Sequence, residues 1–190
     1  MTFPHAAIKN AIMKKILILS GSPRKGGNSD TLCDEFIRGA RESGHQTEKI
    51  FVCSKKIAPC KGCYFCQKHK NQCAIGDDMP EILDKIQSAD AVVMATPVYF
   101  YSIGAQLKAL IDRCVARWEN ISGKEFFYIM TAAEDSPEVM DCTLECLRGF
   151  AKCIAGSRES GVLKAKGVYQ IGDVKNTPYM RQAYLMGKSA

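Results

Sequence analysis

No apolar run in the 190 residues approaches the ~18 that a membrane span requires. Residues 1–10 hold Pro4 and His5 but no apolar core, so the pattern of a secretory signal is missing and the cytoplasm is the expected compartment. Internal repeats and low-complexity segments are absent as well. A Walker loop would need Gly-Lys-Ser/Thr after four residues, yet Gly21 is followed by Gly26-Gly27-Asn28, with no lysine placed for a β- or γ-phosphate. A dinucleotide fingerprint is broken by Gly21-Ser22-Pro23, and Phe51-Val52-Cys53-Ser54 lacks the acid that would follow a second strand. No basic motif is interleaved with aromatics, so the net charge of +6, from 26 basic and 20 acidic residues, does not point to nucleic acid. His45 and His69 have no partner fixed by sequence, and no acid–base role is assigned to them.

What remains is the composition of one soluble domain, 46% hydrophobic and long enough for a full core. Residues 1–12 read as an extension ahead of it, and residues 13–190 as the domain itself, with Met13 as an alternative start. Ten cysteines is a high count. Without an export signal they are metal ligands, redox groups or small core residues rather than disulfides.

The chain is organised around residues 15–41. Ile16-Leu17-Ile18-Leu19 is a short unbroken apolar run, as a parallel strand buried on both faces requires. A polar loop, Ser20 to Ser29, follows, and a helix begins with Asn28 or Ser29 as its cap. The first N–H groups of a helix lack internal partners and carry about half a positive charge. Ser20, Ser22, Asn28, Ser29 and Thr31 add polar side chains there, and Arg24 adds a fixed cation. Such a loop suits one terminal phosphate, as in FMN; the alternative is an ordinary capped turn.

Strand and helix patterns then alternate. Strands are expected at 47–52, 91–95, 125–130 and within 162–171, and helices at 79–86, 103–115, 139–154 and 178–186. Alternation of this kind means an α/β fold, a five-stranded parallel sheet between helix layers in the flavodoxin-like order 2-1-3-4-5. Ligands of that topology sit at the carboxyl ends of strands one and three. The loop after strand three, Pro97-Val98-Tyr99-Phe100, offers a flat surface for a planar ring, and Thr131-Ala132-Ala133 would close its far side. Cys33, Cys114, Cys142, Cys146 and Cys153 fall at helical spacing among apolar residues and read as small buried hydrophobes.

A long irregular segment, residues 53–78, interrupts the pattern. It holds Cys60, Cys63, Cys66 and Cys73 in C-x2-C-x2-C-x6-C spacing, with Lys55, Lys56, Lys61, Lys68 and Lys70 around them. Four thiolates in a compact loop could ligate a [4Fe–4S] cluster or a zinc ion, or remain free or redox-active thiols. The lysines could attract an anionic partner such as a nucleotide phosphate.

Three motifs together, Gly21-Ser-Pro-Arg-Lys-Gly-Gly-Asn-Ser29, Thr96-Pro-Val-Tyr-Phe-Tyr-Ser102 and Gln106-Leu-Lys-Ala-Leu-Ile-Asp-Arg113, resemble the NADPH-dependent FMN reductase and iron–sulfur flavoprotein group of the flavodoxin-like superfamily. The resemblance runs from Lys14 to about Met186. It implies bound FMN, NAD(P)H as co-substrate, a homodimer or a tetramer of dimers, and electron transfer to a small-molecule or protein acceptor. Ser22, Arg24, Asn28 and Ser29 would hold the phosphate, Pro97 to Phe100 would line the isoalloxazine, and Thr131 to Ala133 would line its far edge. The four-cysteine spacing resembles that of the iron–sulfur flavoproteins, where a cluster passes electrons to FMN. Two other readings stand beside this one: a flavin and iron–sulfur electron carrier without turnover, and a zinc-stabilised module that senses a nucleotide. In the flavin-dependent reading no side chain is expected to act as nucleophile or general acid, since the cofactor carries the chemistry.

Overall fold

Ile16, Leu17, Ile18 and Leu19 are all buried, which is the environment the first apolar run demands. They lie in β1 (Lys15–Ser20) of a computed structural model that describes residues 13–190. The extension expected at residues 1–12 lies outside the described residues. After β1 come α1 (Asn28–Glu42), β2 (Gln46–Phe51), α2 (Phe65–Lys68), α3 (Met79–Ser88) and β3 (Ala91–Tyr99). Then follow β4 (Ser102–Ile103), α4 (Ala105–Arg113), β5 (Glu125–Thr131), α5 (Asp141–Lys152), β6 (Arg158–Ala165) and α6 (Pro178–Lys188). Among the described residues no helix is long and apolar enough to cross a membrane.

Five strands pair in parallel in the order β2-β1-β3-β5-β6, which is the expected 2-1-3-4-5 path counted over the parallel strands. A sixth strand was not expected. β3 continues four residues beyond its predicted end and folds back on β4, pairing Val98 with Ile103 and Tyr99 with Ser102. Phe100 and Tyr101 make the turn, with φ of 49° and 60°. Two-residue hairpin turns favour this left-handed backbone but usually place Gly or Asn in it, so nothing in Phe-Tyr announced the turn.

Side chains alternate across the sheet and feed two separate cores. Leu17, Leu19, Val92, Met94, Phe126, Tyr128 and Met130 face α3, α4 and α5 through Ile82, Ile86, Leu107, Leu110, Leu144 and Leu147. Ile16, Ile18, Val93, Ala95, Phe127 and Ile129 face α1 and α6 through Leu32, Phe36, Ile37, Ala40 and Ala183. Each Val, Leu, Ile, Phe or Met among them, fully buried, contributes about 1.5–3 kcal/mol. The α1–α6 contact is tight because both helices present a glycine: a Cβ on Gly39 would stand 2.0 Å from Tyr184 O, and one on Gly187 2.0 Å from Phe36 O.

Three further expectations are corrected. β6 starts at Arg158 and ends at Ala165, earlier than the expected 162–171, because Arg158, Glu159 and Gly161 pair with β5, across a register shift at Ser160, despite lacking an apolar pattern. The N-cap of α1 is Gly27, not Asn28 or Ser29, and no side chain caps that end. Cys33 and Cys114 are buried as expected, but Cys142, Cys146 and Cys153 are exposed. The buried stripe of α5 is Thr143, Leu144, Leu147 and Ala151, and the cysteines fall outside it.

Candidate functional site

The carboxyl ends of β1, β3, β5 and β6 reach one edge of the sheet, where Ser20 pairs with Ala95, Pro97 with Thr131 and Thr131 with Ala165. Loops leaving those ends surround a cleft of about 140 Å³, lined by Ser22, Arg24, Asn28, Ser29, Pro97, Val98, Tyr99, Thr131 and Ala133 among others. A second hollow of about 230 Å³ adjoins it through Val98 and Ala133, with Phe100, Tyr101, Ala132 and Glu134 on its walls. Together they make an elongated groove that passes beneath the β3–β4 turn.

The floor of the groove is the amino end of α1. The first bond into the helix runs from Thr31 N to Gly27 O, at 2.8 Å. The N–H groups of Asn28, Ser29 and Asp30 therefore have no acceptor inside the helix and no side-chain cap. That arrangement fits a phosphate: uncapped donors, the positive end of the helix dipole and Arg24 beside them. Gly21 lets the loop lie against the sheet, because a Cβ there would meet Ala95 O at 2.8 Å and Leu107 Cβ at 2.9 Å.

Behind the loop sits Asp30, which sequence reasoning did not single out. Its carboxylate is buried, accepts the Ser20 hydroxyl at 2.7 Å and Gly26 N–H at 2.9 Å, and pairs with Lys49 Nζ at 3.1 Å. Burial alone would raise its pKa; the Gly26 N–H, the Ser20 hydroxyl and the Lys49 ammonium outweigh that and hold it below the ordinary carboxylate range. Ser20 is thus turned away from the groove into the core, and Thr31 spends its hydroxyl on Gly26 O; neither lines the groove.

Asn28 borders the groove, but its side chain already has partners. Nδ2 donates to Gln170 O at 2.9 Å, and Oδ1 accepts from Gly172 N at 3.2 Å and Val174 N at 3.3 Å. Arg24 Nη1 donates to Tyr169 O at 3.0 Å, and its guanidinium stands 5.9 Å from the Tyr169 ring centroid. These bonds fasten the segment after β6 against the loop after β1, which brings Val168 and Tyr169 into the lining. Neither residue was foreseen, since that segment was expected to be strand.

The cysteine segment forms a second centre. Its neck is closed by Asp77 and Asp78, which accept Ala58 N at 3.0 Å and Lys56 N at 2.7 Å. Arg113, at the end of α4, grips Asp77 with both Nη atoms, at 2.6 and 3.0 Å, and donates to Ala58 O at 2.8 Å. Burial would raise the Asp77 carboxyl, but the Arg113 guanidinium and the N–H groups of Ala58 and Met79 keep it below the usual range. Cys60, Cys63, Cys66 and Cys73 all line one mainly apolar cavity of about 240 Å³, with Arg113, Val115 and Ala116 as the opposite wall. Among the described residues no three His, Cys, Asp or Glu side chains are gathered into a metal-ion site. One buried donor on the cavity wall, Arg113 Nε, has no partner among the described residues. Four thiolates on one cavity are a donor set that suits an iron–sulfur cluster or a zinc ion. All ten cysteines are unpaired thiols. Helix α4 links the two centres: Gly104 N, just ahead of it, donates to Thr96 Oγ1 beside the groove, and Arg113 lies ~13 Å further along the axis.

Comparison with known proteins places this geometry. The model of the NADPH-dependent FMN reductase family matches residues 14–139. An iron-sulfur flavoprotein of Methanosarcina thermophila is 44% identical over 101 residues, 53% of this chain and 52% of that protein. An FMN-dependent NADH:quinone oxidoreductase of Methylocella silvestris is 34% identical over 113 residues, 60% of this chain and 47% of the other. The chain spans about half the length of the curated relatives it matches. Among solved structures, an NAD(P)H:quinone oxidoreductase from Methanothermobacter marburgensis shares the fold with a TM-score of 0.70 and 16% identity, over 93% of this chain and 96% of that one.

Proposed function

Because the chain belongs to the NADPH-dependent FMN reductase family, we propose that it is an oxidoreductase that takes electrons from NAD(P)H, or from a reduced protein donor, and delivers them through bound FMN to a small-molecule or protein acceptor. The observation that carries this reading is the uncapped amino end of α1 at the floor of a groove between the carboxyl ends of β1 and β3. FMN, when bound, supplies the hydride and single-electron chemistry. The chain supplies grip and orientation. The N–H groups of Asn28, Ser29 and Asp30, the Ser22 and Ser29 hydroxyls and Arg24 hold the phosphate. Pro97, Val98, Tyr99 and Phe100 lie along one side of the ring system, and Thr131, Ala132 and Ala133 along the other. Asn28 contributes its backbone N–H, while its amide keeps the 168–174 segment in place.

Residues 13–190 act as one FMN-binding domain in this reading, with residues 53–78 as a cysteine-rich insertion. Cys60, Cys63, Cys66 and Cys73 hold a [4Fe–4S] cluster. Support comes from the cavity they share and from the iron-sulfur flavoprotein that the chain resembles at 44% identity. A second copy of the chain covers the β3–β4 turn to form a homodimer, supported by Phe100, which stands fully exposed at the rim of the groove. Ten unpaired thiols favour a reducing compartment, the cytoplasm.

The test is the visible spectrum of anaerobically purified protein together with steady-state NAD(P)H oxidation with an artificial acceptor. Flavin absorption with turnover is expected; flavin absorption without turnover would make the protein a carrier, and a colourless protein would remove the reading altogether.

A further inference from the structure

Arg113 is 1% exposed, and its guanidinium is incompletely satisfied. Both Nη atoms are held by Asp77, and Nη1 also by Ala58 O. Nε is buried and has no acceptor among the described residues. A buried donor left without a partner carries the full cost of its lost hydration, so a fold that keeps one commonly reserves it for something else. Arg113 lines the cavity of the four cysteines. Cys73 lines the same cavity as the guanidinium. Asp77 is itself fixed, accepting Ala58 N and Met79 N, so the fork cannot swing away.

We propose that Arg113 is a positioning residue of the cysteine cavity: clamped by Asp77, it directs its unpartnered N–H to a ligand sulfur in that cavity and stabilises the reduced form of the iron–sulfur cluster bound there. The proposal rests on the cluster reading above. Adding an electron to a cluster increases the negative charge on its ligand sulfurs, and a donor to such a sulfur favours that state, so its removal makes the cluster harder to reduce. The neighbouring Asp77 cancels most of the long-range charge of Arg113, which leaves the directed N–H as the active feature. Arg113 makes no contact with the flavin groove, so its effect is separable from FMN binding.

The experiment uses the whole chain, reconstituted anaerobically with iron and sulfide, and follows the cluster by EPR-monitored redox titration. The wild type is compared with Arg113→Lys, which keeps the charge but loses Nε, and with Arg113→Gln/Asp77→Asn, which removes both charges while keeping side chains of similar shape. FMN content and circular dichroism verify the fold. The expected result is unchanged iron with a more negative cluster potential in both variants. The reduced-to-oxidised ratio at a fixed potential falls on the order of tenfold, about 59 mV for one electron. In the wild type, protein grown with ¹⁵N-arginine shows a hyperfine coupling between the reduced cluster and one arginine nitrogen; this measurement needs no variant to fold. An unchanged potential with full iron, loss of iron from folded variants, or no coupling would each overturn the proposal. A wild-type protein that binds no iron would instead overturn the cluster reading on which it stands.

Discussion

Asp30 Oδ1 accepts the hydroxyl of Ser20 at 2.7 Å, which places a buried carboxylate directly beneath the loop assigned to an anionic ligand. A negative group there would oppose a phosphate if it faced the groove. It faces the opposite way, toward Gly26 N–H and Lys49, and fixes the loop so that the free N–H groups of α1 point outward.

A pH dependence follows from that network. The folded pKa of Asp30 lies below its unfolded value of ~3.9. The stability it contributes is therefore complete above about pH 4 and is lost as pH falls through the folded pKa. Asp30→Asn is expected to lower stability by about 1–3 kcal/mol at pH 7 and to weaken the further loss below pH 4. Urea midpoints at both pH values measure this.

Asn28→Ala should release the segment after β6. The Gly172 and Val174 amides, which now donate to Asn28 Oδ1, are expected to exchange with solvent faster, while the amides of β1 and β3 remain protected. Hydrogen exchange followed by NMR reads both sets.

Gly39→Ala drives a methyl into the Tyr184 carbonyl. The neighbour is backbone and cannot step aside, so α1 and α6 must separate. The expected cost is ~1–3 kcal/mol, a fall in Tm of roughly 2–12 °C. Gly187→Ala meets Phe36 O in the same way and should behave alike in a thermal scan.

Arg24→Ala removes the fixed cation at the groove and its bond to Tyr169 O. FMN is expected to bind about 10- to 100-fold more weakly, the ~1.5–3 kcal/mol of a charge-assisted hydrogen bond. Flavin fluorescence titration gives the ratio.

Much of this was legible in the chain because local pattern and tertiary role coincide there. Ile16 to Leu19 are apolar without interruption because β1 is covered on both faces, and the glycine- and serine-rich loop that follows is polar because it borders a groove. The partners of Asn28 were hidden: its amide bonds residues more than 140 positions away, and no local spacing encodes that. The β3–β4 hairpin was hidden because its turn uses Phe100 and Tyr101 in a backbone usually left to Gly or Asn. Periodicity alone misplaced Cys142, Cys146 and Cys153. They recur at helical spacing, but the neighbouring stripe through Leu144 and Leu147 is the one that meets the sheet. In sequence Arg113 is only the last residue of the Gln106–Arg113 motif, and only the fold sets it against Asp77 and the cysteines.

The most direct test of the central claim is the position of the FMN phosphorus in a crystal of the protein grown with the cofactor. Phosphate oxygens are expected within hydrogen-bond distance of the N–H groups of Asn28, Ser29 and Asp30, with the ring system beneath the Tyr99 turn. A phosphate bound elsewhere, or a groove that stays empty at saturating FMN, would contradict it.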